Sequence, residues 1–157
     1  VFIAHPYLLK EYNQRWYVLC NTHEDMDQPL KLRTLALDRI EKIDSLKHSF
    51  VFAPEQVDGY FDEVIGITKK DDEKHSRQSI IIKCDPKEYK YILTKPIHPS
   101  QRAIKDKPNH IMIKVKENYE LYQWLLFYGD KIEIVSPLAI RKEFRQILQR
   151  MTAKYKS

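Results

Sequence analysis

Residues 5–21 read HPYLLKEYNQRWYVLCN, and this stretch predicts how the chain begins to fold. Apolar residues predominate before and after the polar tetrapeptide at residues 11–14, a pattern typical of two strands joined by a short turn. Pro6 cannot donate a backbone hydrogen bond to a neighbouring strand, so its own strand is expected at a sheet edge or with a bulge. The stretch therefore predicts a β-hairpin.

More short strands are predicted directly after the hairpin. Leu30–Leu37 is a third strand, and residues 38–43 form a fourth strand or a turn into one. Several short strands in quick succession suggest a small barrel. Pro54 then opens a predicted helix that ends at Gly66, because apolar residues recur between them at helical spacing. Those apolar residues are Val57, Tyr60, Phe61, Val64 and Ile65.

The second half of the chain predicts a different architecture. Residues 69–78, KKDDEKHSRQ, lack apolar periodicity and predict a linker. Residues 79–157 predict the order β-α-β-β-α-β with a C-terminal helix, which is the ferredoxin-like pattern, and the weakest strand signal lies at residues 98–104. The predicted fold class is therefore α+β, with a β-barrel and one helix in residues 1–68 and a ferredoxin-like domain in residues 79–157.

The formal net charge of +5 over 157 residues is distributed unevenly. Residues 1–78 hold 11 Lys/Arg and 14 Asp/Glu, whereas residues 79–157 hold 16 Lys/Arg and 8 Asp/Glu. A basic half favours acidic partners, of which nucleic acid is the usual one, and a solubilising surface is the plain alternative. The chain has only 3 glycines, which excludes a glycine-rich phosphate-binding loop.

The cysteines and histidines indicate neither a metal centre nor an enzyme. Cys20 and Cys84 form no C-x-x-C motif and no disulfide framework, which fits a reducing cytoplasm. The six histidines are scattered, without the spacing of metal ligands, and no nucleophile with a base stands out. We therefore expect no metal site, no cofactor and no enzymatic activity.

The sequence shows neither a membrane span nor a secretory leader. No stretch approaches the ~20 consecutive apolar residues that a spanning helix needs. No basic segment precedes an apolar run at the start, as a signal peptide would require. Because the chain opens without Met inside an apolar run, we expect it to be a piece of a longer, cytoplasmic protein.

Arginines in the first predicted sheet are the candidate binding groups. Arg33 and Arg39 share parity with core leucines if their strand runs straight through. Arg39 is then either buried and paired with Asp38 or Asp44, or it lines a cavity that receives an anion. The planar guanidinium suits both roles, and the pattern favours the buried pair.

Three motifs in the first half resemble those of the WYL domain. They are His5-Pro6-Tyr7-x-Leu9, Arg15-Trp16-Tyr17-Val18-Leu19 and Leu35-Ala36-Leu37-Asp38-Arg39-Ile40. The resemblance covers residues 1–68. The remainder is similar to the C-terminal extension that often follows WYL domains, on the segments KPIHPSQ at 95–101, ELYQWLLFYGD at 120–130 and VSP at 135–137.

The resemblance implies an Sm-like, SH3-type β-barrel in a bacterial transcriptional regulator, following an N-terminal winged helix-turn-helix that binds DNA. It implies that the barrel senses a ligand such as a nucleic acid or a nucleotide, and that the extension contacts a second subunit in a homodimer. Ala36 departs from the family, which often has Arg at this position. The alternative function is a purely structural oligomerisation module without ligand. The candidate ligand-binding residues are His5, Tyr7, Arg15, Tyr17, Arg33 and Arg39.

Overall fold

The computed structural model describes residues 2–22, 32–47, 49–50, 55, 57–69 and 76–156. They form two compact units, Val1–Tyr60 and Phe61–Ser157. The architecture is α+β, as predicted, with one antiparallel sheet in the first unit and a second sheet with three helices in the second. None of the helices described is long and apolar enough to cross a membrane.

The first unit contains the predicted hairpin followed by one more strand. Its strands are β1 (His5–Tyr12), β2 (Arg15–Asn21) and β3 (Leu32–Ala36), paired in the order β1-β2-β3. Asn13 and Gln14 take positive φ angles of 50° and 62°, the backbone that a two-residue hairpin turn requires. β1 is an edge strand whose register with β2 shifts between Pro6 and Leu8, so the proline lies where a sheet tolerates it.

Three features assumed or predicted for the first half differ from the structure. The chain leaves the sheet after Ala36 and forms a 3₁₀ turn at Leu37–Arg39, so the strand assumed to run straight through Arg39 is absent and residues 38–43 begin in a turn, one of the two predicted alternatives. Among the described residues the three strands form an open sheet and not a closed barrel. Residues 57–67 form consecutive turns instead of a helix, and Pro54, its predicted first residue, lies outside the described residues.

The two glycines in residues 57–67 give the physical reason for the turns. Gly59, inside the predicted helix, takes a positive φ of 63°, which interrupts a right-handed helix, and Gly66 at its predicted end takes a φ of 76°. Four of the five residues predicted to share an apolar face are nevertheless buried. The apolar spacing therefore identified buried positions but not the backbone that buries them. The four are Val57, Phe61, Val64 and Ile65.

The second unit contains a four-stranded antiparallel sheet in the order β5-β6-β4-β7. The predicted 98–104 strand shrinks to two residues, because Gln101 instead ties a turn by accepting a hydrogen bond from Ile97 N (3.2 Å) and donating one to Ile92 O (2.9 Å). The elements are β4 (Gln78–Cys84), α1 (Pro86–Thr94), β5 (Arg102–Ala103), β6 (His110–Val115), α2 (Tyr119–Tyr128), β7 (Ile132–Ser136) and α3 (Leu138–Ala153).

One face of this sheet packs into the core of the second unit. Alternate residues of its three longer strands are buried, as period-two side-chain alternation requires. They join buried residues of all three helices in one hydrophobic cluster. The buried strand residues are Ile80, Ile82 and Cys84 of β4, Ile111, Ile113 and Val115 of β6, and Ile132 and Ile134 of β7.

Residues 61–69 are held within the second unit by polar side chains at the start of α2. Asn118 donates to Ile65 O (2.7 Å) and Thr68 O (3.0 Å). Glu120, which is buried, accepts from Thr68 Oγ1 (2.7 Å) and Thr68 N (3.1 Å). The second unit therefore includes residues that precede the predicted linker at 69–78. Residues 70–75 of that linker lie outside the described part of the chain, and the predicted domain limits remain a prediction.

Candidate functional site

The strand register decides which predicted ligand residues share a face of the first sheet. Arg15 and Tyr17 are two residues apart on β2, so their side chains leave the same face. Asn21 has the same parity, and it lies directly opposite His5 of β1. Residues directly opposite in an antiparallel pair share a face. Arg15, Tyr17 and His5 therefore lie on one face of the sheet.

Arg33 lies on the other face. It is directly opposite Cys20 of β2, whose parity differs from that of Tyr17. Its side chain is exposed, and the Cys20 thiol donates to the Arg33 carbonyl oxygen at 3.6 Å. The structure thus separates Arg33 from the predicted partners on β2, and only knowledge of the register could have shown this.

Arg39 is exposed in the 3₁₀ turn, and it forms no hydrogen bond or ion pair with the described residues. The carboxylates proposed for it have other partners: Asp38 accepts from Arg15 Nε at 3.0 Å, and Asp44 pairs with Lys42 at 2.9 Å. The buried-pair interpretation of Arg39 is therefore wrong. The side chain of Arg39 is exposed at the surface.

The ion pair between Arg15 and Asp38 organises one end of the sheet. Both side chains are about half exposed, at 44% and 51%. Because Asp38 belongs to the 3₁₀ turn, the pair brings this turn to the start of β2, beside the face that carries Tyr17. Such an exposed pair contributes at most about 1 kcal/mol to stability, so its main effect is on position.

His5 and Tyr7 are packed in a ring cluster. Their ring centroids lie 4.9 Å and 5.7 Å from that of Phe50. The Nδ1 atom of His5 is buried without a hydrogen-bond partner among the described residues. Sequence reasoning missed Phe50, because it follows a stretch without strand or helix periodicity that could relate it to β1. His5 and Tyr7 therefore pack against Phe50, so a substitution at either residue would change packing as well as any ligand contact.

The two cysteines are buried thiols with the pKa shifts that burial causes. Burial raises the pKa of Cys20, and the nearby Arg33 partly opposes this. Burial, and then the Asp85 and Glu88 carboxylates, raise the pKa of Cys84 to about 11. Both are therefore thiols at neutral pH, whereas a nucleophile or metal ligand must be a thiolate. In the described ranges no three His, Cys, Asp or Glu residues are close enough together to hold a metal ion.

The arginines of the first unit are suited to binding an anion. Arg33 and Arg39 present exposed guanidiniums on the first unit, and Arg15 is oriented by its carboxylate partner. Guanidinium groups bind phosphate or carboxylate through two parallel hydrogen bonds. Tyr17, half-buried on the Arg15 face, supplies a ring on which a base can stack.

Comparison with known proteins finds two domain families in the chain. Residues 1–45 match the model of the WYL domain, and residues 77–152 match that of the WCX domain. No curated protein matches the sequence. Among solved structures, the chain is similar to proteasome accessory factor B/C (PafBC) of Arthrobacter aurescens, with a TM-score of 0.37 and 14% identity. The similarity covers 98% of this chain but 22% of that chain.

Proposed function

We propose that the chain is the ligand-sensing and dimerising effector module of a bacterial transcriptional regulator, because residues 1–45 match the WYL domain and residues 77–152 match the WCX domain. Its ligand is a nucleic acid, a nucleotide or another anion. The ligand binds to the first unit, which we call the WYL unit; the second unit is the WCX unit. In such a regulator a separate N-terminal helix-turn-helix binds DNA, and the protein works in the cytoplasm. The module itself is a binding protein and not an enzyme.

The exposed guanidinium of Arg39 is the observation that carries this proposal. Asp38 beside it pairs with Arg15, and Arg39 has no ion-pair partner among the described residues, so its charge can attract an anionic ligand. Arg15 and Tyr17 leave the same face of β2 at the end of the sheet to which the turn is tied. An anion held there would meet guanidinium donors and an aromatic ring together.

The strand arrangement supports an Sm-like barrel for the first unit and a ferredoxin-like fold for the second. The meander β1-β2-β3 with its bulged edge is what an Sm-like, SH3-type barrel contributes as its first strands. The strand order β5-β6-β4-β7, with helices after β4 and β6, supports a ferredoxin-like second domain.

Regulation by such a module is a shift between populations. A ligand that prefers one arrangement of the WYL unit, the WCX unit and the DNA-binding domain increases the population of that arrangement. Its difference in affinity between the two states limits the size of the shift.

We expect Arg39→Ala to weaken binding of a fluorescein-labelled single-stranded oligonucleotide about tenfold at low salt, because a charge-assisted hydrogen bond contributes about 1.5–3 kcal/mol. Fluorescence anisotropy of the full chain measures this. The control is Lys47→Ala, which removes an exposed positive charge elsewhere in the first unit. Thermal melting of Arg39→Ala should match that of the unmutated chain, since the side chain is exposed and has no partner among the described residues.

The absence of binding even at low salt would contradict the nucleic-acid form of the proposal, because phosphate contacts are strongest there. An equal loss in Lys47→Ala would show that total charge and not Arg39 is responsible. Loss of the thermal melting transition in Arg39→Ala would show instead that the Arg39 side chain stabilises the fold.

The C-terminal half of α3 supports the dimerising part of the proposal. Beyond Phe144 the helix leaves its apolar side uncovered by the described residues: Leu148 is 41% exposed and Met151 is 42% exposed. Tyr155, just beyond the end of α3 at Ala153, is 85% exposed. An apolar stripe of this kind is typical of an interface between subunits.

Met151→Glu is expected to convert a dimer into a monomer in size-exclusion chromatography with light scattering, because it places a charge in the apolar stripe. Gln149→Glu, which adds the same charge on an exposed position of α3, should leave the dimer intact. A monomeric unmutated chain would contradict dimerisation. A dimer that binds neither oligonucleotide nor nucleotide would favour the alternative function, a structural oligomerisation module.

A further inference from the structure

The second unit has a sheet face that its own helices leave uncovered. The buried residues of β4, β6 and β7 all point to the helical layer, so the residues between them form the opposite face. Lys83 of β4 and Lys114 of β6 lie on this opposite face and are exposed. Arg102 of β5 is directly opposite Met112 of β6, which places it on the same face.

These three positive charges have no carboxylate partner in the described part of the chain. Glu133 is directly opposite Lys83 in the sheet, but its Oε1 pairs with Arg141 Nη1 at 2.9 Å. Arg102 donates to the carbonyl oxygens of Pro99 and Gln101, both at 2.6 Å, so its guanidinium is fixed in position without being neutralised. Three of the positive charges of this basic half of the sequence therefore lie on the uncovered face of the sheet.

Apolar side chains lie between the charges. Ile81 of β4 is directly opposite Met112 of β6, and both are half-buried. Lys83 and Lys114 lie on either side of the Ile81–Met112 pair along the strands. Lys83 is directly opposite His110, four residues from Lys114, so ordinary strand dimensions place the two lysine Cα atoms about 14 Å apart. The surface is therefore an apolar strip with a positive charge at each end, and with Arg102 at its side.

We propose that this basic sheet face, defined by Lys83, Arg102 and Lys114 around Ile81 and Met112, binds single-stranded nucleic acid without reading its sequence. Unpaired cations bind phosphates, and the apolar strip receives the faces of unpaired bases. The Met112 thioether makes favourable contacts with aromatic rings. A duplex hides its base faces in the stack, so this surface favours a single strand.

This second surface goes beyond the function proposed for the WYL unit, because it lies in the other unit and uses different residues. It places a contact for an extended strand on the WCX unit, where the sequence is most basic. A strand that is too short to reach both surfaces would bind to each of them independently.

The test is the double variant Lys83→Gln/Lys114→Gln of the full chain, titrated with fluorescein-labelled oligothymidylate over a range of salt concentrations. Glutamine is chosen because a glutamate at position 83 would face Glu133 directly. We expect about a tenfold loss of affinity at low salt and a decrease of about 1.4 in the slope of log affinity against log salt, since each lost single-strand phosphate contact changes it by about 0.7.

The matched control is Lys87→Gln/Lys90→Gln, which removes the same charge from exposed positions of α1. Its affinity should change less than twofold. Equal losses in the two double variants would overturn the proposal in favour of a general charge effect. An unchanged affinity in Lys83→Gln/Lys114→Gln, or tighter binding of a duplex of the same length, would also overturn it. Circular dichroism melting checks that both variants are folded.

The same probe separates this inference from the proposed function. If Arg39→Ala weakens binding and Lys83→Gln/Lys114→Gln does not, the WYL site stands and the basic sheet face is rejected. The opposite pattern rejects the WYL site and keeps the basic sheet face. Losses in both variants that combine additively support two surfaces.

Discussion

Leu125→Ala is expected to lower the free energy of unfolding of the second unit by about 2–5 kcal/mol. Leu125 is fully buried in α2 and belongs to the single hydrophobic cluster formed by the sheet and the helices. Removing its side chain loses the transfer free energy and leaves a cavity that the surrounding strands cannot fill without moving. Urea denaturation measures the change.

Trp124 is a local probe for this experiment. It packs against the same cluster, whereas Trp16 lies in the first unit and is more than half exposed, at 53%. Fluorescence in a Trp16→Phe background therefore reports on the second unit. Phe127→Ala is the control on the same helix, because Phe127 is 79% exposed and its loss should change stability by less than about 0.5 kcal/mol. Similar losses in both variants would contradict the assignment of the buried face of α2.

Asn118→Ala is expected to cost about 2–4 kcal/mol. The side chain accepts from Leu121 N at 2.9 Å as the N-cap of α2, and loss of an N-cap costs about 1 kcal/mol. It also donates to the carbonyl oxygens of Ile65 and Thr68. Ile65 is buried, so its carbonyl would be left unsatisfied, which adds about 1–3 kcal/mol, whereas Thr68 is exposed and its carbonyl can bind water. Urea denaturation of the Trp16→Phe background measures the change.

Two further variants divide the roles of Asn118. Asn118→Asp keeps the N-cap acceptor but cannot donate to the two carbonyls, so it should lose most of the same stability. Gln123→Ala, at an exposed position of the same helix, should change stability by less than about 0.5 kcal/mol. A fully stable Asn118→Asp would show that the hydrogen bonds to Ile65 and Thr68 contribute nothing.

The Asn118 result bears on where the second unit begins. Glu63 adds a further contact in the same region, since its carboxylate pairs with Lys116 at 3.0 Å and Lys69 at 3.3 Å. The hydrogen bond from Lys116 lowers the pKa of Glu63, despite the opposing effect of desolvation. The stabilisation is therefore present at neutral pH and is lost as the pH falls through the lowered pKa.

Local signals predicted the second unit well. Asn118 caps α2 and Gly129 ends it with a φ of 53°, as expected from their residue types. The strands of this unit follow from short apolar runs between proline and glycine residues. Exposure was harder to predict: α2 is largely apolar, yet its Phe127 and Tyr119 are exposed. Composition alone does not show which side of a helix has a partner.

The first unit depended on features that the local sequence does not encode. The parity argument for Arg39 assumed a straight strand, and the 3₁₀ turn after Ala36 removes that assumption. The bulge after Pro6 was predicted, but the register that separates Arg33 from Tyr17 depends on how β2 aligns with β3. Residue types alone thus identified the arginines as anion-binding candidates, but only the structure shows which of them lie on the same face of the sheet.

The central claim is that an anionic ligand binds at the end of the first sheet where Arg15, Tyr17 and Arg39 lie. Titration of the isotope-labelled full chain with a single-stranded oligonucleotide, followed by amide NMR shifts, tests it most directly. We predict shifts at Arg15–Tyr17 and at Leu37–Arg39, and their loss in Arg39→Ala. Shifts confined to residues 61–157, or no shifts at low salt, would contradict the claim.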